Sequence, residues 1–246
     1  MPVPDPPRSA LRLRLVQIRE RPDVLAEERA SFAARCGVAV EQVLTTNALR
    51  EPLTPAALDG IDALLIGGAG AYSVVDTFTW TDALAGLCHA AADRSVPTFG
   101  ACWGHQFLAR AFGGTVVHDA GRAEMGTHTI HVTAAGRADP LFAEVPDAFD
   151  AQMGHHDRVA TLPPGGVELA RNAAAPFQAF RLGDAPIYGA QFHPELDVHA
   201  ERSRLVAYRA HYPESGDDAA FEALLASLRP TPHADGLLRR FLDLYV

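Results

Sequence analysis

The chain has 246 residues, 48% of them hydrophobic, and a formal net charge of −9. This length can bury a substantial core within one domain. The acidic balance disfavours a nucleic-acid-binding surface, and because all 21 basic residues are arginine, lysine Schiff-base chemistry is excluded. The three cysteines lack paired spacing, no apolar run is long enough to span a membrane, and the N-terminus lacks a signal-peptide layout, so we expect a cytoplasmic protein.

The first half of the chain alternates strand-like and helix-like segments. Strands are predicted for LRLRLVQI (11–18), VAVEQVLTT (38–46), DALLIGG (62–68) and VPTFGA (96–101). Helices are predicted for DVLAEERASFAARCG (23–37), WTDALAGLCHAAADR (80–94) and WGHQFLARAF (103–112). This alternation, with short connections, predicts a mostly parallel sheet that is covered by helices on both faces.

The second half changes from short strands to helices. Strands are predicted for GTHTIHVTAAG (126–136), VATLP (159–163), VELARN (167–172), QAFRL (178–182) and IYGAQF (187–192), and helices for ERSRLVAYRAHY (201–212), DDAAFEALLASLR (217–229) and GLLRRFLDLYV (236–246). The fold class expected is a three-layer α/β fold with an added short antiparallel region. We expect a disordered segment over residues 1–10 and a single domain over residues 11–246.

One cysteine lies between two glycines at the predicted strand-to-helix junction. In PTFGACWGHQFLARAFGG (97–114), Gly100 and Gly104 stand two residues on either side of Cys102. Small neighbours at this spacing predict a nucleophile elbow, a tight turn that exposes the thiol at the carboxyl edge of the sheet. The helix N-terminus there favours the thiolate. The pattern is short, and the alternative is an inert buried cysteine.

A base and a carboxylate follow in YGAQFHPELD (188–197). Residues i and i+2 of an extended segment share a face, so Glu195 can accept from one nitrogen of His193 while the other nitrogen faces Cys102. Pro194 stiffens this spacing. The alternative is a surface histidine beside a solvated glutamate. The position at a strand terminus, in a chain that also has an elbow, favours a catalytic pair.

The two motifs together resemble one enzyme family. GACWGHQ followed much later by QFHPE is similar to class I glutamine amidotransferases, and the chain looks closest to the amidotransferase domain of GMP synthetase and its stand-alone relatives. The resemblance implies a Cys–His–Glu triad made of Cys102, His193 and Glu195, which removes ammonia from the side-chain amide of glutamine. It implies no cofactor.

The resemblance also suggests donors for an oxyanion. LLIGGAGAYSV stands where the family carries a glycine loop, and we expect the backbone N–H groups of Gly68 and Trp103 to hold the oxyanion. The family often has proline after the paired glycines, where this chain has Ala69 and the extra Gly70, so the resting conformation of the loop is left open. The alternative for the paired glycines is a strand-end turn, which is compatible with this role.

Two further segments resemble the family near its substrate. Gln106 matches a glutamine that helps to hold substrate; the alternative is an amide on the helix surface. MGHHDRV (153–159) resembles a segment in which relatives carry serine, where this chain has Gly154, followed by histidine, a variable residue and aspartate. We therefore expect His155 and Asp157 to support a loop near the site.

The remaining histidines and cysteines do not form a convincing metal site. His128 and His131 are three apart in a predicted strand and should point to opposite faces. Cys36 and Cys88 lie on apolar stripes of predicted helices and should be core residues. We expect no metal site.

The function expected is hydrolysis of L-glutamine to glutamate and ammonia through a cysteinyl thioester. Two alternatives stay open. One is a γ-glutamyl peptide or amide hydrolase of the same fold, with a roomier pocket beside Cys102; the other is a catalytically silent or partner-dependent interaction subunit. The chain carries no convincing nucleotide-binding loop, so a synthetase on a separate chain is a possible partner.

Overall fold

The structure, a computed structural model, describes residues 8–211 and 216–246. Its strands are β1 (Leu13–Gln17), β2 (Val43–Asn47), β3 (Ala63–Ile66), β4 (Thr98–Ala101), β5 (Thr115–His118), β6 (Glu124–Val132), β7 (Ala148–His155), β8 (Asp157–Thr161), β9 (Gly166–Arg171), β10 (Ala179–Leu182) and β11 (Ile187–Ala190). Its α-helices are α1 (Pro22–Cys36), α2 (Thr81–Asp93), α3 (Trp103–Ala111), α4 (Ala134–Ala138), α5 (Val198–Tyr208), α6 (Asp218–Ala226), α7 (Pro232–Asp235) and α8 (Leu237–Tyr245).

One large sheet organises the described residues. Its strand order is β2-β1-β3-β4-β11-β10-β9-β6-β7, and β5 pairs with β8 in a separate two-stranded sheet. The five strands from β2 to β11 are mutually parallel, and the four from β10 to β7 continue the sheet antiparallel. The predicted α/β class with an antiparallel addition is confirmed. The addition is larger than expected, because β6 and β7 are nine and eight residues long.

Both faces of the parallel half are buried, as continuous apolar strands require. Leu13 and Leu15 of β1 pack on one face with Phe32 of α1 and Phe241 of α8. Val16, the next residue of β1, packs on the other face with residues of α2 and α3, among them Leu84 and Phe107. This alternation of side chains produces the three layers. The parallel pairing of β1, β3, β4 and β11 brings their carboxyl ends to one edge of the sheet.

Several boundaries differ from those predicted. β2 begins only at Val43, because Val40–Gln42 forms a 3-10 turn. Strands β5 and β7 were not predicted. Strand β7 reads AFDAQMGH, and its three consecutive buried residues and polar members obscure the period-two pattern.

The chain termini bear on two expectations. Residues 1–7 of the segment expected to be disordered lie outside the described residues, and Arg8–Ala10 instead form a 3-10 turn in which Arg8 donates to the carbonyl of Cys36 at 2.7 Å. No helix within the described parts of the chain is long and apolar enough to cross a membrane.

Candidate active site

Cys102 occupies the turn between β4 and α3. Its φ is 50° and its ψ is −103°, a conformation that costs a non-glycine residue about 1–3 kcal/mol. The turn is held on both sides, because the Cys102 N–H donates to Ala190 O at 2.8 Å and its carbonyl accepts from Gln106 N at 3.2 Å. The side chain thereby lies at the N-terminus of α3.

The glycines around Cys102 are explained by contact distances. A Cβ on Gly100 would lie 2.5 Å from the carbonyl carbon of Gly104, and a Cβ on Gly104 would lie 2.3 Å from Ile66 O. Neither glycine has a positive φ. Both are therefore needed for close approach of α3 to β3 and β4 rather than for an unusual backbone conformation.

His193 and Glu195 lie in a turn that follows β11. The strand predicted to reach residue 192 ends at Ala190, since the chain leaves the sheet there and the His193 N–H donates instead to Gln152 O of β7 at 2.9 Å. The spacing still brings the two side chains together: His193 Nδ1 lies 2.7 Å from Glu195 Oε1, and both are buried. The other ring nitrogen of His193 is left for Cys102.

The electrostatics of the three groups favour an ionised site. Burial lowers the pKa of His193, but the negative charges of Glu195 and Cys102 outweigh it and raise that pKa well above its ordinary value. Burial raises the pKa of Glu195, yet the charges of His193 and Arg204 bring it below the ordinary value. The protonated form of His193 and the ionised form of Glu195 are therefore both favoured.

Two cavities meet at Cys102. The larger has a volume of about 230 Å³ and is lined by residues of the glycine loop, α3 and the β7–β8 turn, including Tyr72, Trp103, Gln106, Gly154 and His156. The smaller has about 20 Å³ and is lined by Arg19, Ala69, Gly70, Cys102, Gly154, His193, Arg204 and Tyr208. His193 thus faces the small cavity, whereas the larger one offers room for a substrate.

The residues expected as oxyanion donors lie on both sides of Cys102. A Cβ on Gly68 would lie 3.1 Å from His193 Cε1 and 3.9 Å from Cys102 Cβ. The Gly67 N–H donates to Val16 O at 3.0 Å, and among the described residues no group accepts from the N–H of Gly68. Trp103 is the first residue of α3, so its N–H has no partner within the helix.

Gln106 and Asp157 connect the walls of the larger cavity. Gln106 is buried rather than on the helix surface, and its Nε2 donates to Asp157 O at 2.6 Å and to Gln191 Oε1 at 3.1 Å. Asp157 Oδ2 accepts from the Ser73 hydroxyl at 2.5 Å and from Val74 N at 3.1 Å. Asp157 therefore anchors the far end of the glycine loop.

His155 is buried beside Asp157. Its Nδ1 lies 3.0 Å from Asp157 O, and its Nε2 lies 3.2 Å from Glu124 Oε2. Glu124 also accepts from Gln178 Nε2 at 2.6 Å. His155 is thus part of a buried polar network beneath the turn that carries Asp157.

A group of buried charges behind the triad was missed by the sequence reasoning. Arg19 follows β1, Glu28 lies in α1, and Glu201, Arg204 and Tyr208 lie in α5. Burial raises the pKa of Glu201 to about 7. Several polar atoms of the group have no hydrogen-bond partner among the described residues, namely Arg19 Nη1, Glu201 Oε1, Arg204 Nε and Arg204 Nη1. Isolated charged residues in the sequence gave no signal of this clustering.

The other two cysteines are core residues. Cys36 and Cys88 are free and fully buried, and burial raises the pKa of each thiol to about 12. His128 and His131 lie in β6 as predicted. Within the described residues, no group of three His, Cys, Asp or Glu side chains is placed to hold a metal ion.

Comparison with known families decides the identity of this fold and site. The family model for glutamine amidotransferase class-I matches residues 29–210, more than half of the chain. The chain belongs to the class-I glutamine amidotransferase family. The matched region contains the elbow cysteine, the His193–Glu195 pair and every residue that lines the larger cavity except His211. The predicted family membership is therefore confirmed.

Sequence relatives of this amidotransferase include GMP synthases. The glutamine-hydrolyzing GMP synthase of Thermosipho africanus is 39% identical over 104 residues, which are 42% of this chain and 19% of the relative. A protein of Pyrococcus abyssi that is one of the subunits of a glutamine-hydrolyzing GMP synthase is 37% identical over 107 residues, which are 44% of this chain and 54% of the relative. The chain thus spans at most about half the length of these relatives.

Solved structures share the whole fold at low sequence identity. A glutamine amidotransferase from Thermotoga maritima superposes with a TM-score of 0.74 at 19% identity, covering 96% of this chain and 98% of that one. A glutamine amido transferase from Methylobacillus flagellatus gives a TM-score of 0.70 at 22% identity, covering 96% and 93%. The architecture of this amidotransferase is therefore that of known members.

Proposed function

We propose that the chain hydrolyses the side-chain amide of L-glutamine to glutamate and ammonia, with Cys102 as nucleophile. The observation that carries the proposal is the juxtaposition of Cys102, in a strained elbow at a helix N-terminus, with the buried His193–Glu195 pair. A thiolate, an oriented base and a cavity of substrate size are the parts that acyl transfer requires.

In the first half-reaction, Cys102 Sγ attacks the carboxamide carbon of glutamine bound in the larger cavity. The N–H groups of Gly68 and Trp103 hold the oxygen that becomes negative, and each such donor contributes about 2.7–4 kcal/mol to transition-state stabilisation. His193, protonated because of its raised pKa, gives its proton to the amide nitrogen. The carbon–nitrogen bond then breaks, and ammonia leaves a γ-glutamyl thioester on Cys102.

In the second half-reaction, His193 is neutral and takes a proton from water. The hydroxide formed attacks the thioester carbon, and the same N–H groups hold the second oxyanion. Collapse of this intermediate expels the Cys102 thiolate and releases glutamate, while His193 keeps the proton. Glu195 orients the ring and stabilises the imidazolium throughout. The site then returns to its starting charge state.

The size of the cavity at His193 favours glutamine over γ-glutamyl peptides. The departing nitrogen must lie within reach of His193, which lines the cavity of about 20 Å³. That volume holds about one water-sized molecule, which suits ammonia as the leaving group. The glutamyl part fits the cavity of about 230 Å³ on the other side of Cys102.

A second protein as recipient of the ammonia is part of the proposal. Two relatives that match just under half of this chain, from Pyrococcus abyssi and Methanocaldococcus jannaschii, are named as single subunits of a GMP synthase, which implies a companion chain for each of them. We propose that a synthetase chain of this kind uses the ammonia. We also place the reaction in the cytoplasm, in keeping with three free cysteines.

The experiment that tests the proposal is glutamate release from L-glutamine by the purified chain. The matched controls are Cys102→Ala and Cys88→Ala, which removes a buried thiol remote from the elbow. A panel of γ-glutamyl dipeptides is assayed beside glutamine. We expect turnover of glutamine alone, which disappears in Cys102→Ala and remains in Cys88→Ala.

Three outcomes would contradict parts of the proposal. Faster turnover of the dipeptides would assign the chain as a γ-glutamyl hydrolase. Turnover that survives in Cys102→Ala would remove the cysteine mechanism. Turnover of none of these compounds, together with no labelling of Cys102 by a glutamine chloroketone, would favour a silent interaction subunit.

A further inference from the structure

The glycine loop that follows β3 lies against three buried side chains. A Cβ on Gly67 would lie 2.9 Å from Glu28 Oε1, and one on Gly68 would lie 3.0 Å from Arg19 Nη2. Gly70, the residue that departs from the family pattern, lies against the ring of Tyr208, whose Cδ1 would be 2.6 Å from a Cβ. Each glycine therefore makes room for one particular side chain.

These glycines are not required by backbone conformation. None of Gly67, Gly68 and Gly70 has a positive φ. Any residue could adopt their backbone angles, so the constraint is the close approach of the loop to Glu28, Arg19 and Tyr208. The loop is thus shaped to fit a surface that the rest of the chain provides.

That surface is a continuous buried stack. Arg19 Nε donates to Glu28 Oε1 at 2.8 Å, and the Arg19 guanidinium lies 5.4 Å from the centre of the Tyr208 ring. Arg19 and Glu28 are 2% and 0% exposed. Glu28 also lies 3.8 Å from Arg204 Nη1. Removal of Glu28 would therefore leave Arg19 buried without its ionic partner, whereas removal of Arg19 would leave Glu28 with Arg204 alone. The three side chains of the stack come from the segment that follows β1, from α1 and from α5.

The loop is anchored again beyond the glycines. Tyr72 donates to Glu20 Oε1 at 2.6 Å, and Ser73 donates to Asp157 Oδ2 at 2.5 Å. Gly68 lies between the stack and these two hydrogen bonds, beside Cys102 and His193. The loop around Gly68 is therefore held on one side by the stack and on the other by these two hydrogen bonds.

We propose that Glu28, Arg19 and Tyr208 form a clamp that holds the Gly68 N–H at the oxyanion position in the free chain, with Arg19 as a positioning residue. The resting conformation of the loop, which Ala69 and Gly70 leave open in the sequence, is then set by the clamp. No partner protein is needed to form the loop. The consequence for turnover rests on the proposed function, whereas the order of the loop can be measured independently of it.

The test compares Arg19→Met with Arg94→Met. Methionine keeps much of the length of Arg19 but has no charge, and Arg94 makes an exposed ion pair with Asp59 that lies away from the loop. Hydrogen–deuterium exchange of the segment 67–72 reports the loop directly. We expect Arg19→Met to speed this exchange by about tenfold or more, and Arg94→Met to leave it unchanged.

Two kinetic readouts separate positioning from a general loss of structure. Alkylation of Cys102 by iodoacetamide forms no oxyanion, so its rate should stay near that of the wild type in Arg19→Met. The kcat for glutamine should fall on the order of 100-fold, the effect of losing one oxyanion donor, with a small change in KM. Arg19→Lys, which keeps the charge, should restore part of kcat.

A second variant covers the case in which Arg19→Met does not fold. Tyr208→Leu removes the ring that faces Gly70 and should also loosen the segment 67–72, whereas Tyr208→Phe should not. Unchanged exchange of the segment 67–72 in both Arg19→Met and Tyr208→Leu would overturn the clamp. A fall of Cys102 alkylation in Arg19→Met as large as the fall in glutamine turnover would also overturn it. Faster exchange in a chain whose wild type releases no glutamate would support the clamp and remove the proposed function instead.

Discussion

His193 Nδ1 lies 2.7 Å from Glu195 Oε1 within a buried site, although the strand that leads to them has already ended. The turn aims the imidazole at the cavity that Cys102 also lines. Glu195 and Cys102 raise the pKa of His193 well above its ordinary value, against the effect of burial. The protonated ring is therefore favoured, and this is the form that the proposed mechanism needs for proton donation.

Selective alkylation of Cys102 is the first prediction. At neutral pH, iodoacetamide should modify Cys102 alone, since burial raises the pKa of Cys36 and Cys88 to about 12. In His193→Ala the positive charge beside Cys102 is gone. The alkylation rate at neutral pH should then fall by about tenfold or more, because the thiolate is the form that reacts. An equal rate for wild type and His193→Ala would contradict this role of His193.

The second prediction concerns the glycine behind the elbow. Gly104→Ala places a Cβ 2.3 Å from Ile66 O, so α3 must move away from β3. We expect a loss of about 1–3 kcal/mol in the free energy of unfolding and loss of glutamine turnover. Urea denaturation and the glutamate assay measure the two effects.

Gly86→Ala is the matched control for that variant. Gly86 lies within α2, and nothing stands within 4 Å of the position of its Cβ. Alanine there should stabilise the chain by about 0.5–1 kcal/mol. Similar results for the two alanine variants would show that the close contact at Gly104 does not matter.

Asp157 supplies the third prediction. Asp157→Ala leaves the Ser73 hydroxyl and the Val74 N–H without their acceptor, so the outer part of the glycine loop should loosen. We expect KM for glutamine to rise by about tenfold, equivalent to about 1.4 kcal/mol, with a smaller change in kcat because Gly68 is held at the other end. Steady-state kinetics measure this division.

Asp150→Ala is the control for the loss of a carboxylate. Asp150 also accepts from a hydroxyl and from an arginine, Thr129 and Arg229, but it lies on β7 away from the cavity. Its kinetics should match the wild type. A rise in KM of the same size in both variants would mean that Asp157 has no special part in the pocket.

The fourth prediction is a pH dependence of stability. Burial raises the pKa of Glu201 from 4.5 to about 7, so the folded chain holds a proton that the unfolded chain releases between these values. The contribution of Glu201 to the free energy of unfolding is fully present below pH 4.5 and is lost as the pH rises through 7. The loss is up to about 3 kcal/mol. Glu201→Gln should abolish it.

Urea denaturation at pH 5 and pH 8 checks this prediction. The exposed Glu41, as Glu41→Gln, serves as control and should behave as the wild type. If Glu201→Gln and wild type lose the same free energy of unfolding between the two pH values, Glu201 does not carry the buried proton.

The fold and the triad positions followed from local signals in the sequence. Continuous apolar runs such as Ala63–Ile66 identify buried parallel strands, and the glycine spacing around Cys102 identifies the elbow. The spacing of His193 and Glu195 indicated a pair, and the resemblance to a family then joined that pair to Cys102. These features depend on neighbours in the chain, which a single sequence displays.

The clamp could not be predicted in the same way. Arg19 and Tyr208 are 189 positions apart by their numbers, and only the packing of α5 against the end of β1 brings them together. In the sequence, Gly70 stood out only as a departure from the family pattern, which gave no sign of the Tyr208 ring beside it. Long-range burial of charge has no periodic pattern that the sequence could reveal.

Peptide mapping after treatment with a chloroketone analogue of glutamine tests directly whether Cys102 belongs to a glutamine site. We expect one modified peptide, which contains Cys102, and protection of that peptide by excess L-glutamine. A Cys102 that reacts with iodoacetamide but not with the glutamine analogue, or labelling that glutamine does not prevent, would contradict a glutamine site at this elbow.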